Sequence, residues 1–294
     1  MGFLFVFIAV AFNMVKSYGS KSISKHTADI SVAVDVSLLR NFLCALIGAA
    51  IVAVLGVDSF ILPPIGLLIC TTAGVAIGAG YVVWVLVLRT GVYVFANAAN
   101  TASFIIPALC GLLFWKEALS LYQGLAILII LAAMLFMGRY QSEMSGKISF
   151  KHIVLLVLTF LTEGTSMATQ KWFTEELPNV SVNVYTFYAL LISVIILIIF
   201  SSLAPQTPKI GERVKRVKGL GVWIAVMAIC FYVVTFFQTK ASAMLGAVIA
   251  YPLNKGMALV CANIMAWLCF SEKPTKNSIV GMILVFSALM LARL

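Results

Sequence analysis

With 294 residues, 63% of them hydrophobic and only 10% charged, and a mean hydropathy of +1.10, the chain has too little polar surface for a water-soluble fold, since soluble domains carry about 25% charged residues. Its net charge of +10 would raise the question of nucleic acid in a soluble protein, but here the basic residues sit in short loops between apolar runs. There they set topology and meet anionic lipid head groups, so the composition argues against nucleic-acid binding and makes the bilayer the solvent.

The apolar runs are comparable to the about 17 to 25 residues that cross a hydrocarbon core as a helix. In chain order they predict ten helices, near 2–20, 31–56, 63–88, 91–115, 119–138, 150–172, 181–203, 218–239, 244–270 and 275–293. The first run lacks the basic leading region of a secretory signal and is read as helix 1. The breaks fall on charged, Pro and Gly residues, such as Asp58 to Pro64, Lys116-Glu117, Lys240 to Ser242 and Ser271 to Pro274. The Arg139–Ser149 connection divides the chain into two halves, 1–139 and 147–294.

One offset places Lys21 on Lys171 and Asn13 on Glu163, and the stretch ending in Lys116-Glu117 matches the one ending in Ser271-Glu272. With five crossings in each half, the second copy enters the membrane from the opposite face. The expected fold is therefore an all-α membrane protein of ten transmembrane helices arranged as two inverted five-helix repeats, with any site at the midplane between them. Loops between odd and following even helices hold most of the Lys and Arg, among them Lys209, Arg213, Lys215, Arg216 and Lys218, against Lys116, Lys171, Lys240 and Arg293 on the other side. Taken literally, the charge rule puts both termini outside the cytoplasm.

A charge at membrane depth costs about 2.5 to 3.5 kcal/mol on insertion scales, so each one needs a reason. In helix 1, Asn13 and Lys16 are polar at intramembrane depth, as are Asn97 and Asn100 in helix 4; they either line one cavity or hold helices together by hydrogen bonds. Asp35 and Arg40, in the first turns of helix 2, read as an ion pair or a snorkelling pair near the interface, with gating contacts as the other reading. Tyr81, Trp84 and Tyr232 are wall or packing aromatics, and Glu117 and Glu272 are structural loop acids.

Glu163 is the deepest acid, with Gly164, Thr165 and Ser166 leaving room beside it. Burial favours the neutral form of a carboxyl, which suits a group that alternately holds and releases a proton; the other reading is a carboxylate paired to a neighbouring helix. In helix 9, Tyr251, Asn254 and Lys255 share one polar face by i, i+3, i+4 spacing. Pro252 and Gly256 beside them predict a local break that exposes backbone to a cavity. Lys255 either binds a substrate anion or neutralises Glu163.

The six cysteines lie inside apolar runs without ligand spacing, and His26 and His152 are isolated in basic loops, so no metal is assigned. There is no Gly-rich phosphate loop, no nucleophile set near a histidine and no room for a nucleotide domain, so neither an enzyme nor a cofactor is expected.

The whole chain resembles the drug/metabolite transporter superfamily of the EamA-like type. Leu39-Arg40-Asn41-Phe42-Leu43 opening helix 2, Phe114-Trp115-Lys116-Glu117 closing helix 4 and Gly124 in helix 5 are similar to that loose pattern. The second half also resembles the small multidrug resistance proteins: Thr162-Glu163 with Lys171 following, then Tyr251, Gly256, Trp267 and Gly281-Met282 at matching spacings. The resemblance implies that Glu163 is the proton-coupling acid and Tyr251 a site residue, and that both termini are cytoplasmic, opposite to the charge count. The chain departs from that pattern at Asn254, where the family has an aromatic residue, and at Lys255, which repels cations. It also has Asn13 where the second half has Glu163, which implies a single acid and one proton per cycle.

The expected function is a proton-coupled secondary transporter of a small anionic or zwitterionic metabolite, working by alternating access in the cell inner (plasma) membrane. Its partners would be substrate, protons and lipid, and the chain would act as a monomer or homodimer. Efflux of cationic drugs is the alternative within transport. From another class comes a non-transporting membrane scaffold or a lipid flippase accessory.

Overall fold

The computed structural model describes residues 1–23, 30–56, 60–89, 99–118, 120–138, 150–203, 218–270 and 276–291. Among them lie ten α-helices: α1 (Gly2–Ile23), α2 (Ile30–Leu55), α3 (Pro64–Arg89), α4 (Ile105–Leu113), α5 (Leu121–Gly138), α6 (Phe150–Glu176), α7 (Val182–Leu203), α8 (Gly221–Leu245), α9 (Ala247–Phe270) and α10 (Lys276–Leu291). Six helices are long and apolar enough to cross a membrane, and four further apolar helices are shorter among the described residues. The most extensive helix pairs join the first five helices to the last five. α1 lies along α8 and α9, α6 along α3 and α4, α2 on α7, and α5 on α10.

The distribution of side chains is that of a protein dissolved in lipid. Leu4, Phe7, Leu46, Leu68, Leu128, Val157 and Ile198 are exposed on the outside, whereas Ser37, Asn41, Thr101, Ser103, Gln170, Lys171, Thr186 and Ser193 are buried. Polar groups turn inward because the hydrocarbon offers them no partner, and most find one within the bundle or in their own helix. Thr159, for example, returns its hydroxyl to the Leu155 carbonyl. Gly74 and Gly78 let α3 and α7 approach so closely that a Cβ at either would collide with Ile192 or Ile196.

Three boundaries differ from expectation. Lys240 to Ser242 is not a break: α8 runs through it to Leu245, with the Lys240 ammonium 6.0 Å from the Phe236 ring centroid, so the lysine is carried by an apolar surface rather than a loop. The chain reverses instead at Gly246, whose φ of 78° and ψ of 159° suit only glycine. Nor does Pro252 open α9, which is continuous from Ala247 to Phe270, although in its second turn the proline has no N–H to give to the Val248 carbonyl.

The described part of predicted helix 4 is interrupted. Ala99 to Ala102 forms a helical turn, Ser103 and Phe104 a turn, and α4 resumes at Ile105. The cause is Pro107, which lacks the N–H that would reach the Ser103 carbonyl and whose ring crowds that carbonyl; the Ile106 N–H takes it instead, at 3.1 Å. Asn97, Glu272, Arg293 and the basic loop at 204–217 lie outside the described residues.

Candidate functional site

Glu163 stands midway along α6 and Lys255 about two turns into α9, and the two meet: Lys255 Nζ lies 2.7 Å from Glu163 Oε1. The same ammonium donates to Asn100 Oδ1 at 3.1 Å. Asn100 precedes α4, held there by Ser103, whose hydroxyl donates to the Asn100 carbonyl. Thus three of the polar residues singled out from sequence converge on one nitrogen. The Lys255 side chain is 13% exposed and that of Glu163 39%, so the carboxylate faces open space and is not sealed by packing.

Two more cations complete the cluster. Lys16 of α1 lies 5.1 Å from the Phe231 ring centroid and Arg40 of α2 4.6 Å from it, so two positive charges share one aromatic ring of α8. Arg40 also stacks on Tyr81 at 5.3 Å and donates from Nε and Nη2 to Asn41 Oδ1 at 3.0 and 2.9 Å. Asn41 is braced in turn by donating to Ser193 Oγ on α7 at 3.0 Å. Lys16 interacts electrostatically with Arg40, Lys255 and Glu163, and Glu163 with Lys16, Lys255 and Asn100. Two bases, Lys255 and Lys16, therefore act on one acid, and a third, Arg40, lies beside Lys16.

The interfacial pairing expected of Asp35 and Arg40 is not formed. Residues five apart on a helix point to different faces, and Arg40 turns inward to Asn41, Tyr81 and Phe231 while Asp35 is buried elsewhere on α2. Asn13 lines a crevice between α1 and α9 with Met14, Ser17 and Ala258. Tyr251 is fully buried and donates its hydroxyl to the Met167 carbonyl at 2.6 Å, so its polar tip ties α9 to α6. Asn254 is buried beside it, and its Nδ2 makes no hydrogen bond among the described residues. Tyr232 donates to Asn183 Oδ1 at 2.8 Å. Phe231 was not legible as a site residue, since an aromatic inside an apolar run carries no sequence signal.

A second ion cluster lies at one end of the bundle. The Glu117 carboxylate accepts the Ala247 N–H at Oε1 (2.9 Å) and the Val248 N–H at Oε2 (3.0 Å), capping the start of α9, where unpaired N–H groups and the helix dipole favour an anion. Lys171 Nζ reaches Glu117 Oε1 at 3.1 Å and also pairs with Glu175. Glu117 is thus structural, as its place at a helix end indicated, but it binds another helix rather than its own.

A bundle of apolar helices with aliphatic side chains outward and a charged cluster inside defines a multi-pass membrane protein. Residues 150–294 match the model of the EamA-like transporter family, a match consistent with the drug/metabolite transporter superfamily. The family is one of membrane transporters of small substrates, not of enzymes. A solved structure described as "Crystal structure of protein" shares the fold, with a TM-score of 0.73 over 99% of this chain and 96% of that one at 12% identity. No curated protein matches the chain by sequence.

Proposed function

We propose that the chain is a proton-coupled secondary transporter of a small anionic or zwitterionic metabolite, seated in the cell inner (plasma) membrane and working by alternating access. The observation that carries the reading is the Lys255–Glu163 pair at mid-helix depth, with a carboxylate side chain left 39% exposed. A charged pair in the interior of a membrane bundle is expensive, and substrate or proton handling is the usual reason for it. Glu163 would take up and release the proton; Lys255, Asn100, Asn13 and Asn254 would meet the substrate, with Tyr251 beside them holding α9 against α6. Asn97 belongs to the same proposed face by spacing alone.

The halves would rock about this cluster. In support, the helix pairs map onto one another when each helix of the first half is exchanged with its counterpart in the second: α1 on α8 answers α6 on α3, α1 on α9 answers α6 on α4, and α2 on α7 and α5 on α10 map onto themselves. Asn100 and Lys255, which touch, lie equally far along the chain from Glu117 and Glu272. Two inverted repeats would produce this pattern. Coupling needs only that proton and substrate prefer one open state over the other.

The test is current on a solid-supported membrane carrying the reconstituted protein, across amino acids, nucleosides, organic anions and quaternary cations. A pH-dependent current for an anionic or zwitterionic class is expected. Current for quaternary cations alone would favour drug efflux, and silence across the panel would favour a scaffold.

A further inference from the structure

Resting on that reading of the site, the geometry points to proton–anion symport: Lys16, Arg40 and Lys255 form the seat for an organic anion bearing one or two carboxylates, which enters only when Glu163 carries a proton. Neither Lys16 nor Arg40 has a carboxylate within ion-pair distance among the described residues. Lys16 meets the Phe231 ring, and Arg40 meets two rings and the neutral amide of Asn41. Lys255 shares the one available carboxylate, that of Glu163. With every group ionised the cluster keeps a surplus of two positive charges, because it holds three bases and one acid, and the Glu163 side chain is 39% exposed. A charge surplus in the interior of a membrane protein is costly, and an anion that completes it relieves that cost.

The sign of the coupling follows from who competes with whom. A cation would compete with the proton for the Glu163 carboxylate, so the two would exchange. A carboxylate instead competes with Glu163 for the Lys255 ammonium and is repelled by an ionised Glu163. Protonating Glu163 removes both obstacles at once, so proton and anion favour the same state and cross together; by linkage the bound anion favours the proton equally.

The groups that act on Glu163 itself are Lys255 from α9, Lys16 from α1 and Asn100 ahead of α4. From α2, Arg40 acts on Lys16, and Cys230 of α8 does so as well. Tyr81 of α3 is stacked on Arg40, and Tyr185 of α7 is bonded to Thr169. Among the described residues, no second carboxylate acts on Glu163 or Lys16 to reverse the sign.

The experiment is binding to the purified full-length protein, by calorimetry, of 2-oxoglutarate, L-aspartate, L-glutamine and tetraphenylphosphonium, from mildly alkaline to mildly acidic conditions in which the carboxylates of the probes stay ionised. A carboxylate should bind, and more tightly as the medium becomes acidic. Lys16→Gln and Arg40→Gln should each weaken it about tenfold, the effect of one charge-assisted contact, with Arg40→Lys recovering part and melting temperatures checking that each variant folds. Glu163→Gln should still bind the anion but lose the dependence on pH. The inference is overturned if no carboxylate binds, if binding weakens as the medium becomes acidic, or if a folded Lys16→Gln or Arg40→Gln binds as wild type does. Proteoliposomes separate it from the reading beneath it. Carboxylate binding as described without any uptake would sink the transport reading and leave the site standing, whereas proton-driven movement of glutamine or tetraphenylphosphonium alone would keep transport and sink the anion seat.

Discussion

Among the described residues, lysine meets glutamate in two places that differ in almost everything except composition. At the end of the bundle, both oxygens of Glu117 accept backbone N–H groups of α9, and Lys171, 5% exposed, divides its charge between Glu117 and Glu175. At mid-depth, Glu163 has one ammonium partner on an exposed carboxylate, while two further cations nearby have only aromatic rings and an amide. A saturated and closed pair fixes helices, and a saturated pair gives nothing up without loss of structure. An unsaturated and open pair has bonds to exchange, which is what a transport cycle requires of its site.

The contrast can be broken most sharply at Lys171. Lys171→Met leaves the Glu117 charge short of a partner in a closed place and should lower stability by on the order of 3 kcal/mol, read as the midpoint of denaturant unfolding in detergent. Gly246→Ala comes next, at about 1 to 2 kcal/mol, because its positive φ excludes a Cβ, which would also press on the Glu117 carboxylate. Lys255→Met should be mildest on the same scale, below about 1 kcal/mol, since the carboxylate it abandons is 39% exposed and less closed in than Glu117, yet it should remove substrate-dependent current. Equal destabilisation by Lys171→Met and Lys255→Met would erase the distinction between the two pairs.

Much of the scaffold was legible because bilayer thickness and helix breakers act locally. The run predicted at 150–172 is α6, ending at Glu176, and the one at 181–203 is α7 from Val182. Errors came where a local signal was overridden. Lys240 read as a loop charge, though its stem lies along an apolar helix, and the reversal was assigned a few residues before Gly246. The depth of Glu163, Lys255, Asn100 and Lys16 was also visible in sequence, because a charge or amide inside an apolar run is conspicuous. What depth cannot convey is direction around a bundle: the sequence leaves Arg40 between a pair with Asp35, snorkelling and gating contacts, and its contact with Phe231 of α8 depends on tertiary packing. The Glu117 cap on α9 escaped for the same reason, its partners lying far along the chain.

The central claim is that Glu163 is the proton-coupling acid, and it is tested most directly by comparing Glu163→Gln with wild type in one preparation of proteoliposomes, reading both accumulation driven by a proton gradient and exchange of labelled for unlabelled substrate without one. The account predicts that the variant loses accumulation and keeps exchange, because the cations that hold the substrate remain. Accumulation at the wild-type level in Glu163→Gln would contradict it.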